Sequence, residues 1–361
     1  MRKLLLGTTA LAAAVTLSAN TVLADVSITG AMEWTYESRD PGVALGNYAS
    51  GASNDDFSSD TNVKMTFTNK TDSGLTIGMV LDMETDGDNA ASSIDADEQY
   101  MFIKGGFGEI QLGMNDGAGD QLTRTASDLQ GPDANSDNGG TYTGRLGTTT
   151  AATDASDHFS GTNTTGLADD NADLIGDIND KNTITYLMPA IGGLSLGVSY
   201  MDAGDSTTAN ADMTVFGAKY AFESGNVKGT LHYGNASIGG ASAGDGSRNS
   251  DSMAVDVSSG PFRAVFAQAN HDMSTAVTTE VTDYGIQYDL GNGMVLSAVG
   301  TQIEENTGGE TSDITTIGLK YNLASGLDAY LTYADYDYKA GDAASATNPD
   351  DDGSVTYITI K

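Results

Sequence analysis

The sequence predicts an all-β fold, a transmembrane antiparallel β-barrel of 16 strands. Three observations lead to this prediction. Apolar and polar residues alternate along many short stretches, and the links between these stretches are alternately short and long. After residue 24, the chain has no apolar run of the roughly 20 residues that a spanning helix needs. Because a bilayer cannot satisfy an open sheet edge, strands that cross it have to close into a barrel.

The alternation is clearest in the stretch 74–84. Every odd position from Leu75 to Met83 is apolar, and the even positions from Thr76 to Glu84 are mostly polar. Such a stretch forms a strand with one apolar and one polar face. The same pattern recurs along the chain and gives sixteen strands, an even number as in bacterial outer-membrane barrels. A soluble β-sandwich would show the same alternation.

The lengths of the links favour the barrel over the sandwich. Every second link is a tight turn, and the others are longer and polar: 38–58, 86–95, 117–181, 204–211, 237–249, 272–279, 304–312 and 339–352. Short periplasmic turns and long extracellular loops are typical of outer-membrane barrels. Aromatic residues near the strand ends suit interfacial girdles. These are Tyr36, Tyr100, Phe107, Tyr200, Tyr220, Phe222, Tyr233, Phe262, Tyr288, Tyr321 and Tyr333.

Residues 1–24 have the features of a cleaved signal peptide. Arg2 and Lys3 form a basic start, an apolar region follows over 4–17, and Ala24 is a small residue before Asp25. The apolar region is short and broken by Gly7, which disfavours a membrane anchor. The sequence therefore predicts export, with 25–361 forming the barrel.

Composition excludes several classes of function. The formal net charge is −34 at pH 7, so nucleic acid is not an expected partner, because phosphate binding needs clustered Lys and Arg. The chain has no cysteine, which excludes disulfides and thiol chemistry. Its three histidines, His158, His232 and His271, have no metal-ligand spacing. We therefore expect no enzyme activity and no required cofactor.

Several stretches resemble a known family. They are 57–59, 63–75, 101–113, which reads MFIKGGFGEIQLG, and 182–200, which ends in GLSLGVSY. In order and spacing they resemble general diffusion porins of Gram-negative outer membranes, with the alphaproteobacterial type nearest. The resemblance spans nearly the whole chain. It implies a homotrimer in the lipid bilayer and lipopolysaccharide of the cell outer membrane, passing ions and small hydrophilic solutes.

The resemblance also implies a site. In this family the third loop folds into the barrel lumen and narrows it, with acidic residues that face basic residues on the wall. The segment 117–181 lies at that loop's position and carries eleven aspartates and no glutamate. The expected constriction residues lie near the start of this segment. They are Asp116, Asp120, Arg124 and Asp128.

The expected pore wall departs from the family on its basic side. Strand parity points Asp60, Asn62, Lys64 and Asp82 into the lumen, and Asp60, Asn62 and Thr185 stand where related porins tend to carry arginine. The remaining candidates for a basic wall are Lys64, Lys219, Lys228, Arg263 and Lys320, with His232 as a weak addition. For each of them the alternative is a solvated lumenal residue away from the constriction. On a wall poor in arginine, the acidic loop is expected to set the sign of the field.

This composition predicts a cation-preferring pore. A carboxylate about 10 Å from a passing ion contributes roughly 0.4 to 1.7 kcal/mol at an effective dielectric constant of 80 to 20. Calcium is a further candidate ligand, at Asp86, Asp88, Asp169 and Asp170, although solvated acidic surface is the favoured explanation because no cluster has the spacing of a defined calcium loop. The alternative function is an acidic, β-rich secreted protein, surface-layer protein or adhesin without transport activity.

Overall fold

A computed structural model of the chain describes residues 25–41, 55–86, 95–130, 182–201, 212–238, 248–272, 278–306, 309, 311–339 and 351–361. The predicted signal peptide, 1–24, lies outside the described residues, as do most of the long loops. No helix in the described part of the chain is long and apolar enough to span a bilayer. The same residues contain one short 3-10 helix, Ser127–Leu129.

Sixteen strands form a single closed antiparallel barrel, which confirms the predicted fold. Each strand pairs with its neighbours in sequence, and β1 closes the barrel against β16 from the pair Trp34 and Ile360 to the pair Pro41 and Gly353. The strands are β1 Asp25–Pro41, β2 Asp55–Lys70, β3 Thr76–Asp86, β4 Asp95–Gly105, β5 Gly108–Met114, β6 Asn182–Leu187, β7 Leu194–Met201, β8 Met213–Ser224, β9 Val227–Ile238, β10 Arg248–Ser259, β11 Phe262–Asp272, β12 Thr278–Gly291, β13 Met294–Glu305, β14 Thr311–Ala324, β15 Leu327–Lys339 and β16 Asp351–Ile360.

The outward face of the barrel is apolar. Large apolar side chains on alternate positions are exposed there, among them Ile28, Met79, Ile184, Leu231, Phe266, Ile286 and Leu331. Exposed apolar residues in such number would aggregate in water, so this face matches the lipid-facing band of a membrane barrel. The inward positions of the same strands combine polar residues, as the alternation predicted, with a buried apolar cluster on β10–β16 that includes Val281, Ile303 and Tyr357.

The aromatic residues predicted for the interfacial girdles lie on the outer face, with one exception that corrects the prediction. Trp34, Tyr36 and Phe57 cluster on the outer face near the long-loop end, with ring centroids 5.2 Å apart in the two pairs that Phe57 makes. Tyr100 is different. It pairs with Val80, which is buried and faces inward, so Tyr100 lies on the lumenal face and not in an outer girdle.

Strand β5 ends earlier than the sequence pattern predicted. The alternation extended it to Asp116, whereas the strand stops at Met114 and the chain then turns into the lumen. Gly113 has a φ of 136°, a backbone conformation that side chains with a Cβ rarely adopt. A Cβ there would also overlap with the carbonyl oxygen of Gln99. Gly113 thus permits the change of direction that takes the third loop inward.

Candidate functional site

Residues 115–130, called here the inner segment, lie inside the barrel. They leave β5 and make contacts with the wall from β6 to β13. The segment begins at Asn115, whose amide donates to Gln111 Oε1 over 2.8 Å and whose carbonyl oxygen accepts from Thr183 Oγ1 over 2.6 Å. Because Asn115 is 1% exposed, these buried hydrogen bonds fix the start of the segment against the wall.

A second attachment lies on β6 and β7. The backbone N–H of Ala118 donates to Ser199 Oγ over 2.7 Å, and Ser199 exchanges a 2.7 Å hydrogen bond with Thr185 Oγ1. Thr185 and Ser199 are both 0% exposed. The prediction that Thr185 lines the open pore is therefore corrected. Its side chain faces inward but lies beneath the inner segment, where it orients the serine that holds Ala118.

A third attachment lies on β9. His232 Nδ1–H donates to the carbonyl oxygen of Leu122 over 2.7 Å, and the other ring nitrogen of His232 lies 2.7 Å from Thr230 Oγ1. Since a carbonyl oxygen can only accept, the bond to Leu122 fixes the proton on Nδ1. His232 was a weak candidate for the basic wall, and the structure gives it a different position, as a hydrogen-bond donor to the loop backbone.

Four charged groups meet where the inner segment crosses β10 and β11. Arg124 Nε lies 3.0 Å from Asp128 Oδ2 and 3.7 Å from Asp256 Oδ2, and Arg263 holds Asp256 through two nitrogens at 2.6 to 3.2 Å. Two guanidinium groups and two carboxylates leave this cluster without net charge. We call these four residues the balanced cluster. Arg263 and Asp256 form a directional, bidentate pair within the wall, and Arg124 links the inner segment to that pair through its 3.7 Å contact with Asp256.

The inner segment ends in an apolar contact. Ala126 and Leu129 are buried and pack with Val265 on β11 and Val299 on β13. Asp128, between them, also accepts a hydrogen bond from the N–H of Thr125 over 3.2 Å. Asp116 and Asp120 are half-buried nearer the start of the segment, and each is engaged in other interactions.

Strands β1–β4 form the part of the wall that takes no part in the contacts with the inner segment described above. Lys64 is its central cation, with Nζ 3.1 Å from Asp82 Oδ2 and 2.5 Å from Glu98 Oε2. Asn62 donates to the other oxygen of Asp82. The C-terminal residue Lys361 pairs with Glu33 over 2.8 Å.

Carboxylates outnumber ammonium groups on this wall. Asp60 and Glu84 also face the lumen there, because they occupy the same parity as Asn62 on their strands. Among the described side chains, the wall around Lys64 and Lys361 thus combines five carboxylates with two ammonium groups. We call it the acidic wall, and its members are Glu33, Asp60, Asp82, Glu84, Glu98, Lys64 and Lys361. Outside this group, Glu37 adds an inward carboxylate on β1, whereas Lys70 and Lys104 lie at the short-turn ends of β2 and β4.

Three predicted wall residues do not join either group. Lys320 lies near the short-turn end, 2.8 Å from Asp328 and over the Tyr330 ring at 5.4 Å. Lys219 and Lys228 face inward on β8 and β9. No carboxylate among the described residues lies within ion-pair distance of either of them. The structure therefore places Lys64 and Arg263 in separate clusters, and the other three lysines join neither of them.

Sequence reasoning missed the residues that hold the loop. Gln111, Asn115 and Ser199 carry most of the buried polar contacts, yet in the sequence they look like ordinary inward-facing polar positions. The sequence did contain one indication of where the loop would lie, because Gly197 and Gly217 occupy inward positions in the middle of strands. Glycine inside a strand often marks the close approach of another backbone.

The calcium prediction falls mostly outside the described residues. Asp88, Asp169 and Asp170 are not described, and of Asp86 only the backbone is. Within the part of the chain that the structure describes, no group of three or more acidic or histidine side chains is arranged to hold a metal ion.

Comparison with known proteins agrees with this architecture. The family model Porin_4, described as Gram-negative porin, matches residues 7–341. The chain belongs to the Gram-negative porin family. It is therefore a channel-forming barrel of the outer membrane through which solutes pass. No curated protein sequence matches it.

Solved structures of Rhodopseudomonas blastica porin share the fold of this porin. One mutant has 16% sequence identity and a TM-score of 0.60, with 93% of this chain and 99% of that chain covered. A triple mutant has 16% identity and a TM-score of 0.61, with 93% and 100% covered. Identity this low supports the barrel architecture alone, so the residues of the lumen have to be argued from this chain itself.

Proposed function

We propose that this porin is a water-filled channel for the passive diffusion of ions and small hydrophilic solutes, with a preference for cations. The acidic wall carries this proposal. Its excess of carboxylates faces the lumen across from the inner segment, whereas the balanced cluster contributes no net charge. The inner segment supplies the constriction, because it occupies the lumen along the β6–β13 side.

The expected preference follows from Coulomb's law. Each uncompensated carboxylate about 10 Å from a passing ion contributes roughly 0.4 to 1.7 kcal/mol, which is about a two- to twenty-fold bias. At physiological salt, screening acts over about 8 Å, so only charges near the narrow part of the lumen contribute strongly. Lys64 offsets one of its two carboxylate neighbours, which leaves that triad with a single negative charge.

Reversal potentials in a potassium chloride gradient test the proposal. The purified porin, inserted into a planar bilayer, should give a reversal potential of the sign expected for potassium over chloride. The preference should weaken as the salt concentration is raised, because the Debye length shortens. A reversal potential that favours chloride contradicts the proposal.

The assembly of the porin is a second part of the proposal. We propose cleavage of residues 1–24 on export, a homotrimer in the lipopolysaccharide-containing outer membrane, and structural calcium bound to the acidic loops as an optional ligand. The apolar outer face gives a protomer the surface it needs to meet lipid or another copy. An N-terminal sequence that begins at Asp25 would support the cleavage. A heat-dissociable band at three times the protomer mass would support the homotrimer. Isothermal titration with calcium tests the binding of calcium.

A further inference from the structure

Three glycines face the lumen directly under the inner segment. They are Gly197 on β7, Gly217 on β8 and Gly285 on β12. None of them has a positive φ, so their backbone conformation does not require glycine. Glycine in a strand interior costs stability and offers no side chain for packing, so its presence at three inward positions needs another cause.

Gly217 makes the closest approach. A Cβ added there would overlap with the carbonyl oxygen of Ala118 and stand 2.9 Å from its carbonyl carbon and 3.0 Å from Leu122 Cβ. The first two atoms are backbone and cannot rotate away. Since non-bonded carbon contacts are most favourable at about 3.5 to 4.0 Å, the backbone at Ala118 would have to move by roughly 1 Å.

The other two glycines meet side chains of the segment. At Gly197 a Cβ would lie 2.9 Å from Ala118 Cβ and 3.1 Å from Leu122 Cδ1, besides 2.7 Å from Leu187 Cδ2 of the wall. At Gly285 it would lie 3.0 Å from Leu129 Cδ1 and 3.0 Å from Val299 Cγ2 of the wall. The contact thus weakens from Gly217 through Gly197 to Gly285. Near these contacts, Ser199 accepts a hydrogen bond from the segment backbone and His232 donates one to it, so the segment has both the space and the attachments to lie against the wall.

We propose that Gly197, Gly217 and Gly285 are positioning residues that set the width of the open channel. They let the inner segment lie against β7–β12, so that residues 115–130 do not occupy the cross-section of the lumen towards the acidic wall. A side chain at these positions displaces the segment towards that wall and narrows the channel. This inference rests on the proposed constriction by the inner segment, but it does not depend on the preference for cations.

Single-channel conductance of Gly217→Val tests the proposal, with Gly318→Val as the matched control. Gly318 also faces the lumen, on β14, but a Cβ there would meet only Ser297 Oγ at 2.7 Å and Thr332 Oγ1 at 3.8 Å, and no atom of the inner segment. Both variants add the same side chain to the lumen. Because conductance follows the pore cross-section, we expect a reduction of about 1.5-fold for Gly217→Val and a much smaller one for Gly318→Val. Equal conductance in the two variants would overturn the proposal.

A second pair of variants covers the case in which Gly217→Val fails to assemble. Gly197→Ala should lower the conductance, and the added change Ala118→Gly should restore it, because the nearest segment atom to the new Cβ is Ala118 Cβ. Assembly is checked first by the heat-dependent shift in electrophoretic mobility. If Gly197→Ala assembles and Ala118→Gly leaves its conductance unchanged, the glycines do not position the segment. The reversal potential is measured separately, so a porin without cation preference would refute the proposed selectivity and leave this inference intact.

Discussion

The two sides of the lumen are built differently. On the β6–β13 side, the inner segment is held by buried hydrogen bonds, a charge-balanced cluster and an apolar contact. On the β1–β4 side no described part of the loop is attached, and carboxylates outnumber ammonium groups. We therefore propose that the first side fixes the shape of the channel, whereas the acidic wall contributes more net charge than the balanced cluster does. The sequence had suggested that the loop itself sets the sign of the field.

Removing the charge of the acidic wall should have the largest effect. The double variant Asp82→Asn/Glu98→Gln takes both carboxylates from Lys64, so the triad changes from one net negative to one net positive charge. Two unit charges at about 10 Å correspond to a loss of roughly 0.8 to 3.4 kcal/mol in cation preference. Reversal potentials measure it. Asp313→Asn/Asp335→Asn, which removes two outward-facing carboxylates, is the control and should leave the potential unchanged.

Removing the attachment of Ala118 should act on structure and not on charge. Ser199→Ala leaves the buried N–H of Ala118 without its acceptor, which costs about 1 to 3 kcal/mol locally. Hydrogen exchange at that amide should accelerate by roughly 5- to 150-fold. Ser297→Ala removes a lumenal serine whose hydroxyl reaches only Gly318, so exchange at Ala118 should stay at the wild-type rate. Unchanged exchange in Ser199→Ala would argue against the attachment.

Removing the cation of the acidic wall should change selectivity in the opposite direction. Lys64→Met leaves Asp82 and Glu98 without their shared partner, and the cation preference should increase by about 0.4 to 1.7 kcal/mol. Lys339→Met, which breaks the ion pair with Asp337 at the loop end of β15, is the matched control. A fall in cation preference for Lys64→Met would mean that this lysine does not act on the permeating ions.

The smallest effect is expected at His232. His232→Ala removes one hydrogen bond to the Leu122 carbonyl, with a net cost of about 0.5 to 1.5 kcal/mol to the attachment of the segment. Hydrogen exchange over 118–125 should rise modestly. His232→Asn, whose side-chain amide can still donate from a similar position, should restore most of the protection. Equal exchange in the two variants would mean that the donor at this position is not what holds the segment.

The sequence predicts the barrel because lipid and water impose a period of two on every strand. Lys64, Asp82 and Arg263 could be placed on the lumenal face from parity alone. The attachments of the loop could not be predicted, because they join residues far apart in the chain. Ala118 and Ser199 are separated by 81 positions, and Leu122 and His232 by 110.

The partners of the charged residues could not be predicted from the sequence either. Parity shows that Asp256 and Arg263 both face inward, but not that Arg124 from the loop joins them. The same limit explains Thr185, which has the parity of a pore residue and lies beneath the loop. Alternation determines which way a side chain points, whereas only the folded loop determines whether solvent still reaches it.

The central claim is that the acidic wall, and not the balanced cluster, sets the preference for cations. It is tested most directly by the reversal potentials of two double variants in the same potassium chloride gradient. Asp82→Asn/Glu98→Gln should lose most of the preference, whereas Arg124→Gln/Asp128→Asn, which removes one charge of each sign from the balanced cluster, should keep the wild-type value. The opposite outcome, an unchanged potential in the first variant and a lost preference in the second, would contradict the account.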